Sequence, residues 1–177
     1  LALAIQEGAK YGLRVHASGA DIALWPGVRA KSQPARIAMR LAGANHSAAL
    51  EPGVALPGQL NYIVGPQPTQ WRTGLKQYAR LSARQVYPGI DMVWFGNQRQ
   101  LEYDFVLSPG ADPNCIRLRF DGARGLRIGS AGELLIETSA GTLRQKAPVL
   151  YQESGNTREM VSGGYVLLTN LEVGFRT

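Results

Sequence analysis

Glu102 and Asp104 are the two side chains best spaced for acid–base chemistry. They stand two apart in a run that alternates apolar and polar residues, so on a strand they share one face at about 6–7 Å. A retaining glycosidase holds its carboxyls about 5–5.5 Å apart, and an inverting one holds them farther apart. The spacing therefore admits glycoside hydrolysis. The plainer reading is the polar face of an amphipathic strand, solvated or paired with arginines on a neighbour such as Arg117 and Arg119. His16 and His46 are the only histidines. One stands beside a turn and one in a loop, and neither belongs to a metal-ligand motif. His46-Ser47 lacks the Gly-x-Ser-x-Gly elbow that would make a serine nucleophile. Cys115 is the single cysteine. No base or electropositive motif accompanies it, so it reads as a small strand residue rather than a nucleophile. Standing alone, it excludes an intrachain disulfide and any multi-cysteine zinc or iron–sulfur site.

Two further chemistries find thin material. Asp112, Asn114 and Asp121 offer oxygen ligands in loops, but acidic residues are too sparse there for a recognisable Ca²⁺ loop. Gly122-Ala123-Arg124-Gly125 and Gly163-Gly164 are turn glycines. They do not follow a strand and open a helix, which phosphate cradling requires. No cofactor or metal is expected. The aromatics carry more information. Tyr62, Trp71, Tyr78, Tyr87, Trp94, Phe95, Tyr103 and Phe105 crowd into 44 of the 177 residues. Such residues build the cores of small sandwiches, and they also form platforms for sugars or single-stranded nucleic acid. Trp71, Tyr87, Trp94 and Tyr103 are the candidate ligand-binding residues. Trp94 and Phe95 are adjacent, so on a strand they face opposite sides.

The elements that must position these residues are short strands. In Gln100–Leu107 apolar residues fall at 101, 103, 105 and 107, a period of two. Ile116–Phe120 alternates just as strictly. Between them Ser108-Pro109-Gly110-Ala111-Asp112-Pro113 supplies turn chemistry. Strands follow at Leu126–Ile128, Leu134–Thr138, Thr142–Lys146, Pro148–Gln152, Gly164–Leu168 and Val173–Phe175. In the first half, Tyr11–Val15 and Ile22–Trp25 form a hairpin across 17–21. Arg36–Leu41 turns Ile37, Met39 and Leu41 inward. Residues 42–59 read as loop, and Trp71–Val86 as extended chain after a short helical turn near Pro68–Trp71. Short strands every eight to twelve residues indicate an all-β fold, an antiparallel sandwich or meander.

Composition agrees. Gly (21) and Pro (10) are in excess and disfavour a helical bundle. A hydrophobic content of 45% with 18% charged residues excludes intrinsic disorder. No apolar run reaches the length of a membrane-spanning helix. The net charge is +6. Residues 1–90 carry ten Lys/Arg and three Asp/Glu, whereas residues 91–177 carry nine and ten. The cations, Lys10, Arg14, Arg29, Lys31, Arg36, Arg40, Arg72, Lys76, Arg80 and Arg84, are spread singly with no reading helix, which argues against nucleic acid.

A series of motifs runs through residues 60–113. It reads Leu60-Asn61-Tyr62-Ile63-Val64-Gly65, Trp71-Arg72-Thr73, Val86-Tyr87-Pro88-Gly89-Ile90-Asp91 and Phe95-Gly96-Asn97. It continues with Leu101-Glu102-Tyr103-Asp104-Phe105 and Pro109-Gly110-Ala111-Asp112-Pro113. Order and spacing resemble the N-terminal domain of unknown function that precedes beta-propeller (SBBP) repeats in large bacterial surface proteins. The resemblance implies an extracellular or cell-envelope protein, with downstream propeller repeats as neighbours and a glycan or surface protein as ligand. It carries over no catalytic residue. It implies that Pro88-Gly89 sets a turn braced by Asp91, and that Leu101, Tyr103 and Phe105 fill a core face. Two departures, the missing Asn- and Gln-containing stretch upstream and the stop at Thr177, lead us to expect residues 1–177 to be a single β-rich domain truncated at both ends. No signal peptide is visible at Leu1-Ala2-Leu3-Ala4-Ile5.

The expected function is a non-catalytic structural or adhesive module. A carbohydrate-binding module is the alternative, and a glycoside hydrolase using Glu102 or Asp104 the third reading.

Overall fold

Alternation becomes structure where one face of a strand finds a partner layer. A computed structural model describes residues 2–5, 11–25, 33–63, 65–97, 100–155 and 157–177. Lys10, Arg29 and Lys31 of the cation set, and Leu1 of the apolar start, lie outside them. In chain order the strands are β1 (Ala2–Ile5), β2 (Tyr11–His16), β3 (Gly19–Leu24), β4 (Ala35–Leu41), β5 (Leu50–Pro52), β6 (Ala55–Tyr62), β7 (Arg72–Tyr78), β8 (Arg80–Tyr87) and β9 (Ile90–Asn97). Then come β10 (Gln100–Leu107), β11 (Leu118–Asp121), β12 (Gly125–Ile128), β13 (Leu134–Thr138), β14 (Gly141–Gln145), β15 (Leu150–Ser154), β16 (Thr157–Val161), β17 (Gly164–Leu167) and β18 (Glu172–Arg176). Short 3-10 turns at Pro68–Gln70 and Pro113–Cys115 are the only helical pieces among the described residues. The protein is all-β, and every ladder is antiparallel.

A seven-stranded sheet has the order β1-β2-β3-β4-β11-β18-β17, and a four-stranded sheet the order β10-β9-β8-β5. β12-β13-β14 form a third sheet, and β6-β7 and β15-β16 are two-stranded ribbons. The inner faces of the three larger sheets share one core. Val15, Ile37 and Met39 meet Phe120 and Leu118 from the first sheet, Ile90, Met92 and Val86 from the second, and Leu134 and Ile136 from the third. At about 25 cal/mol per Å² of buried apolar surface, this layering is the main stabilising term.

Three expectations need correction. Residues 42–59 are not simply loop, because they contain β5 and most of β6. The β11 strand starts at Leu118 rather than Ile116, because Asp112 caps the 3-10 turn Pro113–Cys115 and Ile116 closes it. A strand at Thr157–Val161 was not expected. It pairs with β15, yet none of its residues is buried, so it has no alternating pattern to announce it.

One turn does match its residues closely. Pro88-Gly89 joins β8 to β9 with Tyr87 opposite Ile90. Gly89 takes φ 72°, and a Cβ there would stand 3.1 Å from the Cβ of Ala111. Glycine meets both demands.

Candidate functional site

Strand register sorts the aromatics first. Trp94 pairs with Leu81 on one side and Tyr103 on the other, which puts all three on one face of the four-stranded sheet. Trp94 is 3% exposed and Tyr87 is 4% exposed. The rings of Trp94, Tyr103, Phe105, Phe175 and Tyr165 then follow one another with centroids 5.1, 5.8, 5.9 and 5.4 Å apart. Gln145 closes the series, because its Nε2 donates to the hydroxyls of both Tyr103 and Tyr165. Tyr165 in turn donates to the carbonyl of Lys146 at 3.2 Å. Burial pushes the Tyr103 phenol well above its ordinary value, and burial also raises Tyr165. The indole Nε1 of Trp94 is buried with no acceptor among the described residues.

Tyr87 works as a staple. Its hydroxyl donates to the carbonyl of Ala42 at 3.0 Å and accepts from the backbone N–H of Arg117 at 3.4 Å. It thereby ties β8 to the chain leaving β4 and to the chain entering β11. Burial raises its phenol as well, against the backbone bond to Arg117. Tyr87, Trp94 and Tyr103 therefore do not join Trp71 in one solvent-facing platform. Alternation places them on the inner side, and the hydroxyls of Tyr87 and Tyr103 are used in bonds within the chain.

The carboxylates stand on the opposite face. Glu102 lies across from Phe95 and Asp104 across from Val93. The arginines beside Asp104 are Arg80, whose guanidinium sits 5.7 Å over the Phe95 ring, and Arg158. Partial burial raises the Asp104 carboxyl, Glu102 adds to the rise, and the two arginines oppose it. Arg117 and Arg119, the neighbours expected for this pair, are engaged elsewhere. Arg117 meets Glu172 at 3.5 Å and Arg119 meets Asp121 at 2.7 Å. The reason is topological: β10 pairs with β9, and β11 belongs to another sheet. Two shallow surface hollows are lined by Arg119 with Thr169–Glu172, and by Gly43–Asn45 with Gln85–Pro88. Neither contains Glu102 or Asp104.

The other titratable candidates are structural in their contacts. His16 and Arg40 grip Asp21 at 2.7 and 2.6 Å. Burial works against ionisation of Asp21, but the hydrogen bonds and charges of His16 and Arg40 win and hold its carboxyl below the usual value. Asp112 accepts from the backbone and side chain of Asn114 at 2.9 and 2.8 Å. The Cys115 thiol donates to the Asp112 carbonyl and is raised by burial and by the Asp112 charge. His46 is exposed in its loop. Among the described residues no three His, Cys, Asp or Glu converge as a metal site.

Trp71 belongs to a different region. The β5–β8 ladder begins at Leu50 opposite Ala83 and runs through Pro52 opposite Leu81. Gly53 N–H then donates to Arg80 O at 3.0 Å, and the ladder passes into β6–β7 as far as Tyr62 opposite Arg72. It is one continuous hairpin. Every described residue from Glu51 to Arg80 is exposed. Two bulges interrupt the outer part, at Gly58 (φ 91°) and Gly74 (φ 67°). The Trp71 indole donates to Gly65 O at 3.0 Å, and the side chain of Asn61 accepts from Gly74 N–H. We call residues 54–79 the arm.

A family model described as a domain of unknown function, DUF7948, matches residues 7–177. The chain belongs to this family. No curated protein and no solved structure matches it.

In this DUF7948 chain the Val86–Asp91 motif is a brace. Asp91 Oδ1 accepts from Gln85 N–H at 2.7 Å, and Gln85 Oε1 accepts from Gly89 N–H at 3.2 Å. That clamp holds Gln85 at φ 51° in the bulge where β8 shifts register against β9. The Asp91 brace expected from the motif is present, but it acts on Gln85 rather than on the Pro88-Gly89 peptide. Sequence reasoning missed Gln145, because nothing local marks a residue that bonds partners 42 and 20 positions away. It also missed the arm. A signal was available: no Asp or Glu occurs between Glu51 and Asp91, while Arg72, Lys76, Arg80 and Arg84 do.

Proposed function

We propose that this domain is a non-catalytic structural or adhesive module of an exported bacterial surface protein, standing ahead of beta-propeller repeats. The arm carries the reading. A two-stranded ribbon is marginal by itself in water, and this one leaves Leu60 (50% exposed), Ile63 (59%) and Trp71 (39%) in contact with solvent. An element with that much apolar surface and no core of its own is built to be covered. The carboxylates support the same reading, since Asp21, Asp91, Asp112, Asp121, Glu133 and Glu172 are all engaged by groups of their own chain.

The test replaces residues 54–79 by an Asn-Gly turn between Gly53 and Arg80, which the existing register permits. Retention of the armless chain on bacterial envelope fragments is compared with that of the intact chain. The expected result is an unchanged fold with retention lost. Equal retention without the arm refutes the reading. A glycan array with Trp71→Ala separates the carbohydrate-binding alternative, since of Trp71, Tyr87, Trp94 and Tyr103 only Trp71 lies on the exposed arm.

A further inference from the structure

The arm's chemistry narrows what it can touch. Leu60 pairs with Leu75, and Tyr62 with Arg72, so one face carries two leucines, a tyrosine and a cation. The other face carries Lys76 opposite Gln59 and Tyr78 opposite Ala55. Ile63 and Trp71 flank the turn at the far end, the most distant point from the four-stranded sheet along the ladder. Neither Arg72 nor Lys76 has a carboxylate partner among the described residues. The arm is thus cationic and free of acid, and two large apolar side chains flank an end turn that carries Gln67, Thr69 and Gln70.

We propose that the arm docks peripherally on an anionic lipid surface, with Ile63 and Trp71 entering the headgroup and upper acyl region and Arg72 and Lys76 meeting lipid phosphates. This rests on the reading of the arm as the contact element and names the surface it contacts. A second copy of the chain is a poor occupant, because each copy carries +6 and its acidic side chains are largely engaged by its own arginines. A rigid acidic protein would present a groove to one face. This ribbon instead has Ile63 and Trp71 at the base of a short uncharged end turn and cations behind them, an order that suits the interface of a bilayer. The backbone edges of a ribbon cannot enter hydrocarbon unpaired, so insertion stops at the interface.

The experiment is co-sedimentation of the 177-residue chain with vesicles of phosphatidylcholine alone and of phosphatidylcholine with phosphatidylglycerol, in low and high salt. Binding to the anionic vesicles, weakened by salt and absent from the neutral ones, is expected. The Arg72→Gln/Lys76→Gln variant should bind about thirtyfold more weakly, about fivefold for each cation. Ile63→Ser/Trp71→Ser should lose about tenfold or more. All four positions lie outside the core, so the melting temperature of each variant should stay close to that of the parent, with Trp71→Ser losing only the indole bond to Gly65. Failure to bind anionic vesicles, equal binding to neutral ones, or full binding by the glutamine variant overturns the proposal. So does binding of soluble polyglutamate with the vesicles left free, which would assign the arm to an acidic protein. Envelope retention that needs the arm, together with no vesicle binding, sinks the lipid inference alone. Retention that ignores the arm sinks the reading beneath it.

Discussion

The paired chain that runs from Leu50 out through the arm and back along β8 has two environments. At its base, Ala83, Val86 and Tyr87 are buried against the first sheet and β9 lies alongside. Beyond Leu81 the same two strands continue with no buried residue. Backbone pairing is present in both parts, so pairing does not distinguish them. Layering does: the base has a second sheet facing it and the arm has none. Net hydrogen-bond gains of roughly 1 kcal/mol each do little to offset the ordering of a residue. Burial tips that balance at the base, whereas the arm is held by its attachment to the base and by local bonds such as Asn61 to Gly74.

This contrast can be broken by mutation. The largest effect is expected from Trp94→Ala, which empties the core face of the four-stranded sheet and should cost about 3–5 kcal/mol in denaturant unfolding. If Leu75→Ala in the arm costs as much, the distinction between base and arm fails. Next comes alkaline pH. The Tyr103 and Tyr165 phenols are raised in the fold, so their stabilising share is complete below the unfolded value near 10 and is lost as pH rises through the higher folded values. Melts above pH 10 should fall steeply, and Tyr103→Phe should flatten that fall; an unchanged alkaline slope counts against the enclosed phenol pair. Tyr87→Phe keeps the ring and removes the staple to Ala42 and Arg117, for an expected cost of about 1–2 kcal/mol. The smallest effect belongs to the arm. Leu60→Ala and Leu75→Ala should each change stability by less than about 0.5 kcal/mol in thermal unfolding, since their side chains are already wet.

The same contrast explains what the sequence disclosed. Arg36–Leu41 and Gln100–Leu107 could be read because each has one face against the core, which selects apolar residues at every second position. Leu134–Thr138 could be read as a short apolar run between turn glycines, and Leu134, Leu135 and Ile136 are all buried. The Pro88-Gly89 turn could be read because its backbone admits few residues. The arm has no buried face, so no period forms, and Pro57-Gly58 looks like a break although it is a bulge. Alternation showed that Trp94 and Phe95 part company but not which one turns inward. That choice is made by the opposing sheet. The Tyr103–Gln145–Tyr165 contact is out of reach for a similar reason, since it exists only once β10, β14 and β17 have been brought together.

The separation of Trp71 from Trp94 also makes the molecule its own two-channel reporter. An enclosed indole emits toward the blue, and a water-exposed one emits toward the red. Trp25, 47% exposed, would blur the second signal, but Trp25→Phe leaves one emitter in the body and one on the arm. The colour of one fluorescence spectrum would then tell whether an event at the surface has reached the arm, the core or both.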